Sequence, residues 1–120
     1  MGSIIGKSEA MSDEEIKTFV TSKINSKKVV IFSKSYCPYC KNAKKIFLKY
    51  NMFPEFLDIT DIENREDCQK IQSYLREITG ASSVPRVFIN GKCIGGADET
   101  EALNMSGQLE ILLRDCGAIN

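Results

Sequence analysis

Histidine and tryptophan are both absent from the 120 residues, and the net charge is zero. Without histidine, a zinc site would have to be built from sulfur and carboxylate ligands alone. Five cysteines are present, but only Cys37 and Cys40 stand two residues apart. Cys68, Cys93 and Cys116 are isolated, so there is no second pair to complete a four-ligand set, and no metal is expected. Sixteen basic residues cancel sixteen acidic ones, which argues against nucleic-acid binding as a property of the whole surface. The apolar runs are too short to cross a membrane, and the first residues lack the basic and apolar regions of a secretory signal. An odd number of scattered cysteines is not the disulfide framework of a small secreted protein. The expected location is therefore a reducing one, the cytoplasm, with neither nucleic acid nor membrane as a partner.

A 42% hydrophobic content over this length suffices for one domain with its own core. Residues 1–11 read as a flexible tail and residues 12–120 as the domain. Met1-Gly2 opens like a myristoylation site, but Gly6 stands where that motif needs serine or threonine. Ser12 with Glu15 has the form of a capping box, and Ile16, Phe19, Val20 and Ile24 then share a helical face, which predicts a helix to about Asn25. Val29 to Phe32 is apolar without alternation, the mark of a central strand buried on both faces beside a parallel neighbour.

A helix from Cys37 to about Tyr50 and a strand over Glu55 to Ile59 complete a βαβ unit with a right-handed crossover. Asp61 is placed as the cap of a third helix that turns Cys68, Ile71, Leu75 and Ile78 inward and stops at Gly80. Asn90-Gly91 between two short apolar runs predicts a type I′ hairpin. Gly95-Gly96 breaks that sheet edge, a short helix follows from about Asp98, and Ser106 caps a last helix with Leu109, Leu112, Leu113 and Cys116 inward.

The chemistry concentrates at Cys37-Pro38-Tyr39-Cys40, between the first strand and its helix. Two cysteines at this spacing lie one helical turn apart, close enough to form a disulfide. The first meets free backbone N–H groups and the positive end of the helix dipole, which favour a thiolate. Half of a zinc site and a chance pair of small buried residues are the competing readings; the strand–turn–helix context favours thiol–disulfide exchange.

Three separated segments, Cys37-Pro38-Tyr39-Cys40, Ser83-Val84-Pro85-Arg86-Val87-Phe88-Ile89 and Gly95-Gly96-Ala97-Asp98, make the chain resemble a dithiol glutaredoxin over residues 12 to 119. The resemblance implies an α/β, thioredoxin-like three-layer fold, a mixed four-stranded sheet flanked by helices with an additional N-terminal helix. It is not thioredoxin proper, whose site carries a tryptophan that this chain lacks.

By the same resemblance Cys37 is the nucleophile toward a glutathionylated protein, and Cys40 is the resolving cysteine used when the substrate is a protein disulfide. Glutathione is the implied cosubstrate. Lys34 would face one of its carboxylates, and Tyr39 would wall the groove. Gln72 would bond the glycine end, and Val84, before a cis Pro85, would pair with the cysteinyl backbone. Gly96, Ala97 and Asp98 would receive the γ-glutamyl end. Ala97 stands where many relatives carry cysteine, and Glu99 replaces a frequent aspartate. A rival reading within the family is an iron–sulfur carrier, in which Cys37 and glutathione from two subunits share a cluster. Pro38 stiffens the turn against that arrangement, so the expected form is a catalytic monomer acting on glutathionylated and disulfide-containing proteins. A glutathione-independent reductase or adaptor is the other alternative.

Overall fold

All five residues of the strand Val29–Ser33 (β1) are buried, because a helical layer covers each face of the sheet and strands flank both edges of β1. The computed structural model describes residues 11–120; the proposed tail, Met11 excepted, and the Gly2 motif lie outside the described residues. Helix α1 (Asp13–Ile24) precedes β1, and α2 (Pro38–Leu48) follows it. Then come a 3-10 turn (Pro54–Phe56), β2 (Leu57–Asp61), α3 (Cys68–Thr79), the hairpin β3 (Arg86–Ile89) and β4 (Lys92–Gly95), and finally α4 (Ala97–Ser106) and α5 (Gln108–Asp115). The sheet order is β2-β1-β3-β4. β1 runs parallel to β2 and antiparallel to β3.

Because successive side chains of a strand point to opposite faces, β1 feeds two cores. Val30 and Phe32 join Ile16, Val20, Ile71, Leu75 and Phe88 beneath α1 and α3. Val29 and Ile31 join Ile46, Phe47, Val87, Leu109 and Leu113 beneath α2 and α5. Phe32 and Phe88 meet edge to face, their ring centres 5.9 Å apart, a favoured aromatic geometry. Truncating either ring to alanine is expected to cost about 3–5 kcal/mol through lost burial and the cavity left behind.

Local signals account for most element ends. Ser12 Oγ accepts the Glu15 N–H, and the Glu15 carboxylate accepts the Ser12 N–H at 2.8 Å, so the capping box forms as read. Asn90 and Gly91 take φ of 53° and 82°, the two positive values that a type I′ turn needs. Helix α2 ends two residues earlier than expected. Its last amides, Lys49 and Tyr50, bond three residues back, to Ile46 and Phe47, and so tighten the final turn.

Three other expectations are corrected. The second strand starts at Leu57 rather than Glu55, because Pro54–Phe56 is a 3-10 turn and the parallel register sets Leu57 opposite Val29. Asp61 ends that strand opposite Ser33 instead of capping α3, which begins after Asp67. Ile78 is 43% exposed, so the buried stripe of α3 ends at Leu75. Gly107, at φ 85°, forms the joint between α4 and α5, while Ser106 Oγ still accepts the first amide of α5, that of Gln108, at 3.3 Å.

Candidate active site

The turn from Ser33 to Cys37 carries the chain from the end of β1 to the start of α2, and it is pinned at several points. The Ser33 hydroxyl donates to Asp61, whose Oδ1 also takes the Lys44 ammonium at 3.0 Å. Ser35 donates both its N–H and its hydroxyl to Glu63. The Cys37 N–H donates to the Lys34 carbonyl at 3.1 Å. These bonds tie the turn to the end of β2 and to the residues just after it. They fix where the first thiol emerges.

Cys37 occupies the N-cap of α2, with Pro38 in the first turn where its missing N–H is no loss. The Cys40 N–H points at Cys37 Sγ, 3.4 Å away. Partial burial pushes the Cys37 thiol up. It is outweighed by the Cys40 N–H, the Cys40 thiol, the Tyr39 N–H and the Lys34 charge, which together leave its pKa below the ordinary cysteine value. Cys40 is wholly buried. Burial is the main cause that pushes its pKa up to about 11, against an opposing Lys34 N–H at 3.5 Å from Sγ. The two thiols therefore differ: Cys37 is the more acidic and partly exposed, Cys40 the less acidic and buried.

Beside the thiols lies a groove of about 390 Å³, lined by Tyr39, Ser83, Val84, Pro85, Arg86, Gly96, Ala97, Asp98 and Glu99. The Val84–Pro85 bond is cis. The structure thus gathers six of the expected contact residues, Tyr39, Val84, Pro85, Gly96, Ala97 and Asp98, along one wall and floor. Lys34 acts from the turn, through its backbone and its charge. Gln72 is placed differently: its amide donates to the Ser82 carbonyl at 2.9 Å, behind the segment that leads to Val84.

Ser83, Arg86 and Glu99 are the groove residues that sequence reasoning passed over or left in doubt. Arg86 is 8% exposed, and its guanidinium crosses Gly96 so closely that a Cβ there would lie 2.6 Å from Nη2. Only glycine fits. Glu99 accepts the Gly96 N–H at 2.7 Å; that bond is the chief reason its carboxyl lies below the usual range, and the Arg86 charge helps. One amide at the start of α4 is therefore already used, and the next ones, Ala97 and Asp98, open the helix toward the groove. The only charge in a buried apolar strand was the signal that could have marked Arg86.

Among the described residues, no cluster of three or more acidic or cysteine side chains could hold a metal ion. Cys68 is half-buried, donating to Gln72 Oε1 at 3.5 Å, and Cys116 is half-buried against the second core. Cys93 is exposed on β4.

A four-stranded sheet of this order, with a Cys-x-x-Cys pair opening the helix after its central strand and a cis proline beside it, defines a thioredoxin-fold thiol–disulfide oxidoreductase. Comparison with known proteins narrows the class. The glutaredoxin family model matches residues 29–94. Glutaredoxin-C4 of Arabidopsis thaliana is 50% identical over 95 residues, which cover 79% of this chain and 68% of that protein. Oxidized glutaredoxin 2 of Chlamydomonas reinhardtii superposes with a TM-score of 0.83 at 42% identity, covering 91% of this chain and all of that one. The buckwheat glutaredoxin solved as a glutathione complex gives a TM-score of 0.81 at 34% identity, over 92% of this chain and 100% of that one. The chain belongs to the glutaredoxin family and is a glutathione-dependent thiol oxidoreductase.

Proposed function

We propose that the chain reduces protein–glutathione mixed disulfides through Cys37 alone, and some protein disulfides through Cys37 and Cys40 together. In the first route the Cys37 thiolate attacks the glutathione sulfur of the mixed disulfide. The new Cys37–glutathione bond forms as the old bond breaks, and the substrate cysteine leaves as a thiolate and takes up a proton. A second glutathione thiolate then attacks the enzyme-bound glutathione sulfur, releasing Cys37 and forming glutathione disulfide. In the second route the Cys37 thiolate attacks one sulfur of the substrate disulfide; the Cys37–substrate bond forms as the substrate S–S bond breaks, and the other substrate cysteine leaves as a thiolate and takes up a proton. Cys40 loses its proton and attacks Cys37 Sγ, which closes the intramolecular disulfide and frees the second substrate cysteine; two glutathione thiols then reduce the Cys37–Cys40 bond and leave as glutathione disulfide.

The observation that carries this reading is the unequal acidity of the two thiols, one lowered at the helix N-cap and one raised by burial. The lowered thiol attacks; the buried one is held in reserve. Glutathione would lie along the Tyr39, Val84, Pro85 and Gly96 to Asp98 groove, with Lys34 as a cationic partner and Gln72 steadying the segment before Val84. The cytoplasm fits five scattered cysteines, whose thiols a reducing compartment preserves, and a monomer fits the turn stiffened by Pro38. The test compares turnover of a glutathionylated peptide with reduction of a protein disulfide, in the wild type and in Cys40→Ser. Retained peptide turnover with lost protein disulfide reduction is expected. Equal loss of both would overturn the division of roles.

A further inference from the structure

The neutral chain is unevenly charged. Residues 16–54 contain nine lysines and no aspartate or glutamate. Several of those lysines are already occupied among the described residues. Lys17 pairs with Glu14 at 3.9 Å, Lys23 with Asp58 at 3.4 Å and Lys44 with Asp61 at 3.0 Å. Lys27 and Lys28 donate to the Pro54 and Cys116 carbonyls at 3.4 and 2.7 Å. Lys41, Lys45 and Lys49 differ. All three are exposed, and none has a carboxylate within 4.0 Å among the described residues.

Their spacing of four puts them in one row, because side chains four apart share a helix face. Helix α2 carries no acid of its own to interrupt that row. At 1.5 Å per residue the row spans about 12 Å, and it starts one turn from Cys37, the N-cap of the same helix. Tyr39, 66% exposed, lies in the wall of the groove, two residues from Lys41 and so on the other side of the helix from the row.

We propose that this lysine row is a docking surface for protein substrates with acidic residues next to their glutathionylated cysteine. The inference rests on the deglutathionylation reading above. Cations lying along the approach to a reactive atom raise the encounter rate of anionic partners and turn them to the productive side, more than they strengthen the final complex. A row contiguous with the attacking thiol assigns the surface to the molecule that carries the disulfide, rather than to nucleic acid or lipid. The chain selects among substrates by local charge while its own net charge stays at zero.

The test uses two glutathionylated peptides that are identical except for acidic or basic residues beside the modified cysteine, and a small neutral glutathione mixed disulfide as control. For the wild type, kcat/KM should favour the acidic peptide by about tenfold at about 10 mM salt, where charges act over tens of ångströms, and the preference should vanish near about 1 M. Replacing Lys41, Lys45 and Lys49 together with glutamine should abolish the preference and leave the neutral control unchanged. Glutamine is a comparable helix former, and none of the three residues belongs to the thiol site or the groove. Equal turnover of both peptides, or a preference that survives the triple replacement, would overturn the proposal. So would lysine-dependent binding to phosphatidylserine vesicles with peptide turnover indifferent to flanking charge. Failure of the wild type on every substrate would instead strike the deglutathionylation reading, and this proposal with it.

Discussion

At the rim of α2, Cys37 has its sulfur beside two backbone amides and a lysine charge; three residues on, Cys40 is enclosed by the protein. Both belong to the same helical turn, and both receive a backbone N–H, from Cys40 and from Lys34 respectively. Their acidities nevertheless diverge, one below the ordinary thiol value and the other pushed up to about 11. Proximity to a helix start therefore does not by itself make a thiolate. The cap position, where the sulfur accepts amides while remaining partly solvated, lowers the pKa, whereas one turn of further burial more than cancels the same influences.

The strongest way to break the contrast is to remove its acidic member. Cys37→Ser should reduce turnover of a glutathionylated peptide by at least about a thousandfold, since the nucleophile itself is gone. Coupling to glutathione reductase and following loss of the nicotinamide cofactor would measure it, and substantial residual turnover would mean that Cys40 can substitute. Cys40→Ser removes the other member. It should lower dithiol reduction of a protein disulfide by about a hundredfold or more while the glutathione-linked route continues, because an external thiol can replace the intramolecular one only without its proximity.

A titration sharpens the comparison without removing either thiol's chemistry. In Cys40→Ser, the alkylation rate of Cys37 should climb with pH and level off below the pH at which a free cysteine does, since only the thiolate reacts and its fraction saturates above the pKa. The side chain at position 40 is itself among the influences lowering that pKa, so the wild-type plateau should come earlier still. In Cys37→Ser, Cys40 should stay protonated and slow to alkylate past the pH where free cysteine has reacted, because burial is the chief cause of its shift. Coincident profiles would erase the distinction.

The smallest expected change is Lys34→Gln. Removing that positive charge raises the Cys37 pKa, so below the pKa the thiolate fraction and attack rate fall, by about two- to fivefold, and above it the rates converge. Lys34 is the weakest of the influences holding Cys37 down, which is why the effect is modest. The same pH series measures it, and an alkylation deficit that persists above the Cys37 pKa would show that Lys34 acts on something other than acidity.

Much of this was legible in the residues because local patterns and long-range packing agree. The capping box, the unalternating β1 run and the Asn90-Gly91 turn each fixed an element through neighbours in sequence, and the paired cysteines needed only the strand before them and the helix after. What could not be read depends on residues distant in sequence. The start of β2 is set by its register with Val29, not by the propensities of Glu55 and Phe56. Asp61 looked like a helix cap, but Ser33 and Lys44 claim its carboxylate. Arg86 stands out in the sequence as the one charge in an apolar strand, but where its guanidinium goes, across Gly96, is set by the fold.

The pairing of β1 on both sides also imposes an order on synthesis. Val29 meets Leu57 on one edge and Ile89 on the other, partners separated from it by 57 − 29 = 28 and 89 − 29 = 60 residues along the chain. A nascent chain that has emerged through β2 can close the first edge. Until Ile89 leaves the ribosome, the second edge remains an open apolar strand, the kind of template that recruits other chains. The strand that makes the finished protein firm is thus the one most in need of shelter while the protein is being made.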